Sequence, residues 1–145
     1  MLIPDRLLLA SGPFGPGMSA ARVASAIGRG VSAGGLPEPD LCPIPPCEID
    51  GGMRELLDAL DFDARMRRAR AVIIGDQRLE ERTLAGSVTF EIATRARQGG
   101  VPAYAITAEN ALDEFDARIL DLQVILEASG TRALVAAGRK LAGLV

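Results

Sequence analysis

Histidine is absent from this 145-residue chain, which removes Ser-His-Asp and Cys-His nucleophile systems and the commonest transition-metal ligand. Aromatic residues are only 3% of the chain, too few to build the stacking platforms that single-stranded nucleic acid needs. Basic charge is also short. Sixteen Lys and Arg stand against 19 Asp and Glu, a formal charge of -3, and the basic residues are scattered except for Arg65, Arg67, Arg68 and Arg70. Phosphate neutralisation needs a basic face, so nucleic acid is not an expected partner. The arginine cluster reads instead as the solvated end of a helix, near the negative pole of its dipole. No segment reaches the ~18 apolar residues of a membrane span, so no membrane partner is expected. Cys42 and Cys47 make one CxxxxC, neither a disulfide framework nor a four-ligand zinc site. They read as two partly buried thiols beside a Pro-rich loop, and no metal centre is predicted.

The composition that remains is globular, 48% hydrophobic and 24% charged. The length suits one domain spanning 1–145. Near the N-terminus, Asp5 and Arg6 flank a short LLLA run, which fits a first strand better than a secretory signal and predicts a cytoplasmic protein.

Hydrophobic periodicity alternates along the chain. Residues 6–10 read as a buried strand and SGPFGPG at 11–17 as a turn-rich break. Ser19 is a good N-cap for a helix carrying Val23, Ala24, Ile27 and Val31 to Gly34-Gly35. Residues 41–44 read as a strand, 53–60 as an amphipathic helix continuing to 70, and 72–74 as a central parallel strand that stops at Gly75. A helix is expected from 81–83 to Gly99-Gly100, a strand at 102–106, and a short acidic helix or loop at 109–119. A last strand at 122–126 and a helix at 131–144 complete the pattern. Right-handed crossovers then give an α/β fold: a single three-layer αβα domain with a mostly parallel, Rossmann-like sheet of about five strands.

Three loops at the carboxyl ends of these strands are the candidate sites. In the first, Gly12, Gly15, Gly17 and Ser19 precede a helix, and backbone N–H groups there suit an anion, although Pro13 and Pro16 each remove a donor. The bland alternative is a tight turn without ligand. In the second, Asp50, Gly51 and Gly52 open another helix, where Asp50 is either a magnesium or hydroxyl partner or simply an N-cap. In the third, Asp76, Arg78 and Glu80 bring carboxylates and a guanidinium together; Arg78 suits a carboxylate or phosphate, and Asp76 or Glu80 a base or ligand. The same residues also read as a solvated loop with local ion pairs.

These segments resemble the two-domain bacterial glycerate kinases. That family begins roughly APDSFKGSLSA, and here residues 10–20 keep Ala10, Phe14, Ser19 and Ala20 in register. Asp50-Gly51-Gly52 matches a family Asp-Gly-Gly, and VIIGDQRLEERTLAGSVT, a helix and GVPAYAI follow the order of VITGEGRLDEQTLHGKAP, a helix and GVPVIAI. The resemblance implies that the family's central second domain is missing after about residue 70. It also implies altered chemistry. Gly12 stands for an aspartate, Gly15 for a lysine, Asp76-Gln77 for Glu-Gly, Glu80 for an aspartate, Arg82 for a glutamine and Ser87 for a lysine, while Arg78 is kept.

Phosphoryl transfer needs cations around the phosphates, so two missing lysines predict a domain without kinase activity, binding a small acid, an anion or a protein partner. Two alternatives stay open. One is an ATP- and Mg-dependent kinase of a small hydroxy acid completed by another chain. The other is a self-associating homo-oligomeric module that uses an apolar face such as Ala133, Leu134, Ala137 and Leu141.

Overall fold

Five strands and six helices alternate along the chain in the computed structural model, which describes residues 5–46 and 52–145. The strands are β1 (Leu7–Ser11), β2 (Asp40–Pro43), β3 (Ala71–Leu79), β4 (Ala103–Asn110) and β5 (Ile125–Glu127). The helices are α1 (Ala20–Ala33), α2 (Gly52–Ala59), α3 (Phe62–Arg67), α4 (Val88–Gly99), α5 (Glu114–Leu120) and α6 (Thr131–Ala142). All pairings are parallel, in the order β2-β1-β3-β4-β5. The α/β three-layer reading therefore holds. Cys47, Asp50 and Gly51 lie outside the described residues.

Handedness places the helices. The step from β1 to β2 moves one way across the sheet and every later step moves the other, so right-handed crossovers put α1 on one face and α2 to α5 on the opposite one. α6, which follows the last strand, folds back beside α1. Strand side chains divide accordingly. Leu8, Ala10, Val72 and Ile74 pack against Leu57, Phe62, Met66 and Ile92, whereas Leu7, Leu9, Ile73 and Ile106 pack against Val23, Ile27, Leu134 and Leu141. Both faces of the central strands are thus dry, which is why β1 reads as an unbroken apolar run. Leu134, Ala137 and Leu141 are buried in this second core, so the α6 stripe offered as an interface is interior surface against α1.

Glycines let α1 and α6 touch backbone to backbone. A Cβ on Gly30 would overlap the Val135 carbonyl oxygen and come within 2.8 Å of the Arg139 nitrogen. One on Gly138 would overlap the Ile27 carbonyl oxygen and stand 3.2 Å from the Val31 nitrogen.

Several boundaries differ from the sequence expectation, each for a physical reason. β3 does not stop at Gly75; it continues to Leu79 because β4 runs beside it, pairing Asp76 with Thr107, Arg78 with Glu109 and Leu79 with Asn110. Glu109 and Asn110 are therefore strand, and only Glu114–Leu120 is helix, capped by Asp113. The helix expected from residue 81 is two pieces, a 3-10 turn at Glu81–Ala85 and then α4, separated at Gly86, whose φ is 103°. Ser87 caps the second piece through a bond from the Phe90 amide. Likewise Asp61, at φ 55°, separates α2 from α3. The Ser19 cap is as expected, accepting from the Arg22 amide.

Arg65 is not a solvated helix end. Its guanidinium grips both oxygens of Asp40 at 2.9 and 2.7 Å and donates to the carbonyls of Leu60 and Leu41, tying α3 to the edge strand β2. That hydrogen bond holds the Asp40 carboxyl below its ordinary 3.8 despite partial burial. Replacing Arg65 with Ala is expected to cost about 1–3 kcal/mol in urea unfolding at neutral pH, since a charged bidentate pair and two carbonyl bonds are lost. Because the folded value is the lower one, the wild-type advantage is present above 3.8 and disappears as pH falls through the folded value. Melts of both proteins followed downward from pH 7 to well below 3.8 read this directly. Cys42 is fully buried rather than partly so, and burial pushes its thiol up, which leaves it unreactive.

Candidate functional site

In this strand order the sheet reverses its winding between β1 and β3, and the crevice outside the carboxyl ends of those strands is where open α/β sheets take ligands. A cleft of about 230 Å³ lies there. Gly12 and Pro13 form one wall, Ile44 to Pro46 another, Gly75 to Gln77 the floor, and Val88, Thr89 and Ile92 of α4 the side. Gly75 is required at the floor, because any Cβ would overlap the Ser11 hydroxyl and approach the Ser11 Cβ to 2.7 Å. The Gly12 amide donates to the Gly75 carbonyl at 3.1 Å, joining the first and third candidate loops.

Among the described residues that line this cleft, Asp76 is the one with a charged side chain. It extends from β3 toward the first turn of α4, where the Thr89 hydroxyl donates to Oδ2 at 2.6 Å, and its Oδ1 accepts from the Arg78 amide at 3.2 Å. Burial pushes its carboxyl up from 3.8; the two hydrogen bonds pull back part of that rise and the nearby Glu80 charge adds to it. A carboxylate so fixed accepts a hydrogen bond from a hydroxyl and, being raised, also takes up a proton more readily than a surface aspartate.

Of the described residues predicted from the sequence, Gly12 lines the cleft with Asp76 and the others lie outside its lining. Arg78, exposed beyond the cleft, is held by two carboxylates, Glu80 at 2.7 Å and Glu109 across the strand pair, and both raise its pKa. Two of its five N–H donors are engaged in these pairs. Glu80 caps the 3-10 turn, exchanging bonds with Thr83. In the first loop the Phe14 amide bonds the Met18 carbonyl and the Met18 amide the Gly15 carbonyl, which closes residues 14–18 into a turn. Gly17 and Ser19 belong to the start of α1 and do not line the cleft; Gly52 begins α2.

Gly15 has φ 75°, which a lysine would adopt only with strain, whereas Gly12 has open space around its Cβ position. The chain's single lysine, Lys140, sits in the last turn of α6, a helix running back toward the amino ends of the strands, away from the cleft. None of the described residues lining the cleft is a cation, and among the described residues no three Cys, Asp or Glu side chains gather to hold a metal. A magnesium triphosphate does not fit that set, whose one charge is negative.

Thr89 is the cleft residue that the sequence reading missed. Gly86-Ser87, a left-handed stop followed by an N-cap, is the signal that starts a new helix and brings Thr89 into its first turn against Asp76.

The glycerate kinase family model matches residues 18–132. The chain belongs to the glycerate kinase family. A glycerate kinase from Neisseria meningitidis serogroup B is 36% identical over 78 residues, 54% of this chain and 21% of that protein. The crystal structure of a protein assigned as glycerate kinase 2 from Salmonella typhimurium LT2 superposes with a TM-score of 0.49 at 19% identity, covering 73% of this chain and 28% of that one. This glycerate kinase family chain thus spans about a fifth of the curated relative it matches. No described helix is long and apolar enough to cross a membrane.

Proposed function

We propose that this chain binds a small hydroxy acid of the glycerate type in the cleft between β1 and β3 and does not, on its own, transfer phosphate. Asp76 carries the reading: a half-buried carboxylate, fixed by Thr89, faces the crevice at the point where this sheet order takes ligands. A substrate hydroxyl donates to that carboxylate, while the Gln77 amide and the α4 amino terminus offer donors to the acid group. Inorganic phosphate, which carries more negative charge than glycerate at neutral pH, meets the stronger repulsion from that carboxylate. The absence of any lysine near the cleft supports the loss of phosphoryl transfer, since a triphosphate there has no cation to meet it.

The junction between α3 and β3 supports the loss of the family's second lobe at that point. Only residues 68–70 separate the two elements, and the Arg70 amide bonds the Arg6 carbonyl at 2.8 Å, so the sheet continues without interruption.

Titration calorimetry with D-glycerate, inorganic phosphate and magnesium-ATP tests the binding half, and a coupled ADP assay tests the other. Saturable heat with glycerate, none with phosphate and no ADP is the expected result. Turnover by the chain alone overturns the catalytic half; silence toward glycerate overturns the binding half. A second reading rests on the chain spanning only about a fifth of its Neisseria relative: a separate polypeptide supplies the remaining lobe. ADP formation only after a partner is added selects it.

A further inference from the structure

One face of the molecule carries both an exposed apolar knob and an open groove. Phe115 is 72% exposed and Ile119, one turn along the outer stripe of α5, is 42% exposed, while Leu120 anchors the helix inward. Beside them runs a wide, shallow groove with Leu84 and Ala85 of the 3-10 turn as its apolar floor and Glu81, Arg82 and Asp116 at its edges. Glu114 and Arg118 flank the stripe on a single side, a turn apart, and form no salt bridge with each other or with any other described residue.

We propose that this face pairs with a second copy of the chain about a two-fold axis, α5 lying antiparallel to the partner's α5. Each Phe115 then fills the groove of the other copy, and each Glu114 stands opposite the partner's Arg118. The occupant is another copy because knob and groove lie side by side on one surface, and the acid and base repeat at the spacing an antiparallel helix pair brings together. An isologous contact of this kind closes at two. A seven-residue helix and one groove bury less than the ~1,200 Å² of a stable complex, so the association is weak and concentration-dependent. The buried α6 stripe takes no part, and the cleft at Asp76 stays open in both copies.

Sedimentation equilibrium over a micromolar to about 1 mM range tests it. The apparent mass is expected to rise from 15.2 kDa toward twice that value. Phe115→Glu, an exposed position where the melt should not change, is expected to weaken association more than about tenfold, and Arg118→Glu to weaken it in the same direction. The exchange Glu114→Arg with Arg118→Glu is expected to restore it, because both pairs re-form with signs reversed. A wild-type mass that stays at 15.2 kDa throughout, or a dimer that survives Phe115→Glu, overturns the proposal. Failure of the exchange to restore what Arg118→Glu removes overturns the antiparallel pairing. Glycerate calorimetry is expected to be identical for all these variants, which keeps this result separate from the ligand question.

Discussion

Gly30→Ala is expected to be the most damaging single-methyl change in the chain. In an exposed helix the same substitution gains about 1 kcal/mol of propensity, and at Gly30 that gain is overwhelmed. The added carbon overlaps the backbone oxygen of Val135 and crowds the Arg139 nitrogen, neither of which can rotate away as a side chain would. Relief requires α1 and α6 to separate, opening the packed layer formed by Val23, Ile27, Leu134 and Leu141. A net loss at or above the upper end of the usual 1–3 kcal/mol for overpacking follows, which lowers the melting temperature by roughly 10 °C. Gly138→Ala should do the same from the other side of the seam. Gly28→Ala is the control: its new carbon meets only side-chain tips, the nearest being Leu41 Cδ2 at 3.1 Å, so its cost should be far smaller. Equal melts for Gly28→Ala and Gly30→Ala would show that the helices are not in backbone contact.

Asp76→Asn is expected to keep or raise stability at neutral pH while abolishing detectable heat with glycerate. The carboxylate pays for burial as long as it is charged, whereas an amide does not; Asn retains an acceptor for the Arg78 amide and turns its NH2 toward the Thr89 oxygen. The pH dependence follows from the direction of the shift. With its folded pKa above the ordinary 3.8, Asp76 binds a proton more readily in the folded chain than in the unfolded one. Its contribution to stability is therefore fully present below 3.8 and is lost as pH rises through the folded value. The difference in melting temperature between Asp76→Asn and wild type should widen in favour of the variant from acid toward neutral pH, opposite in sign to the effect of Asp40. A variant that melts lower at pH 7 and still binds glycerate would remove Asp76 from the site.

The alternating strands and helices were legible because each obeys a local rule. Val72, Ile73 and Ile74 are branched and apolar on both sides, as a central parallel strand must be, and Ser19 caps a helix whose stripe continues to Val31. What was not legible depends on neighbours distant in sequence. Residues 76–79 look like a loop until β4 is placed beside them, when Arg78 finds Glu109 across the pair and the polar run becomes strand. Arg65 looks solvated until Asp40, 25 residues earlier, closes on it. At the site, Asp76 stood out by its position after a buried strand, but its partner Thr89 depends on a helix break at Gly86 that periodicity alone smoothed over. The motif resemblance carried the family, while the pairing of Arg78 with Glu109, 31 residues away, depends on the strand pairing that brings the two side by side.

The α1–α6 seam also has a consequence for how the molecule is made. One partner is residues 20–33 and the other residues 131–142, so the layer that seals one side of the sheet joins stretches separated by most of the polypeptide. Until residues 131–142 leave the ribosome, Val23, Ile27 and Val31 have the sheet beneath them but not α6 beside them, and the nascent chain leaves that flank of the layer open to water and to chaperones. This layer of the domain can close only after every other secondary element has been synthesised.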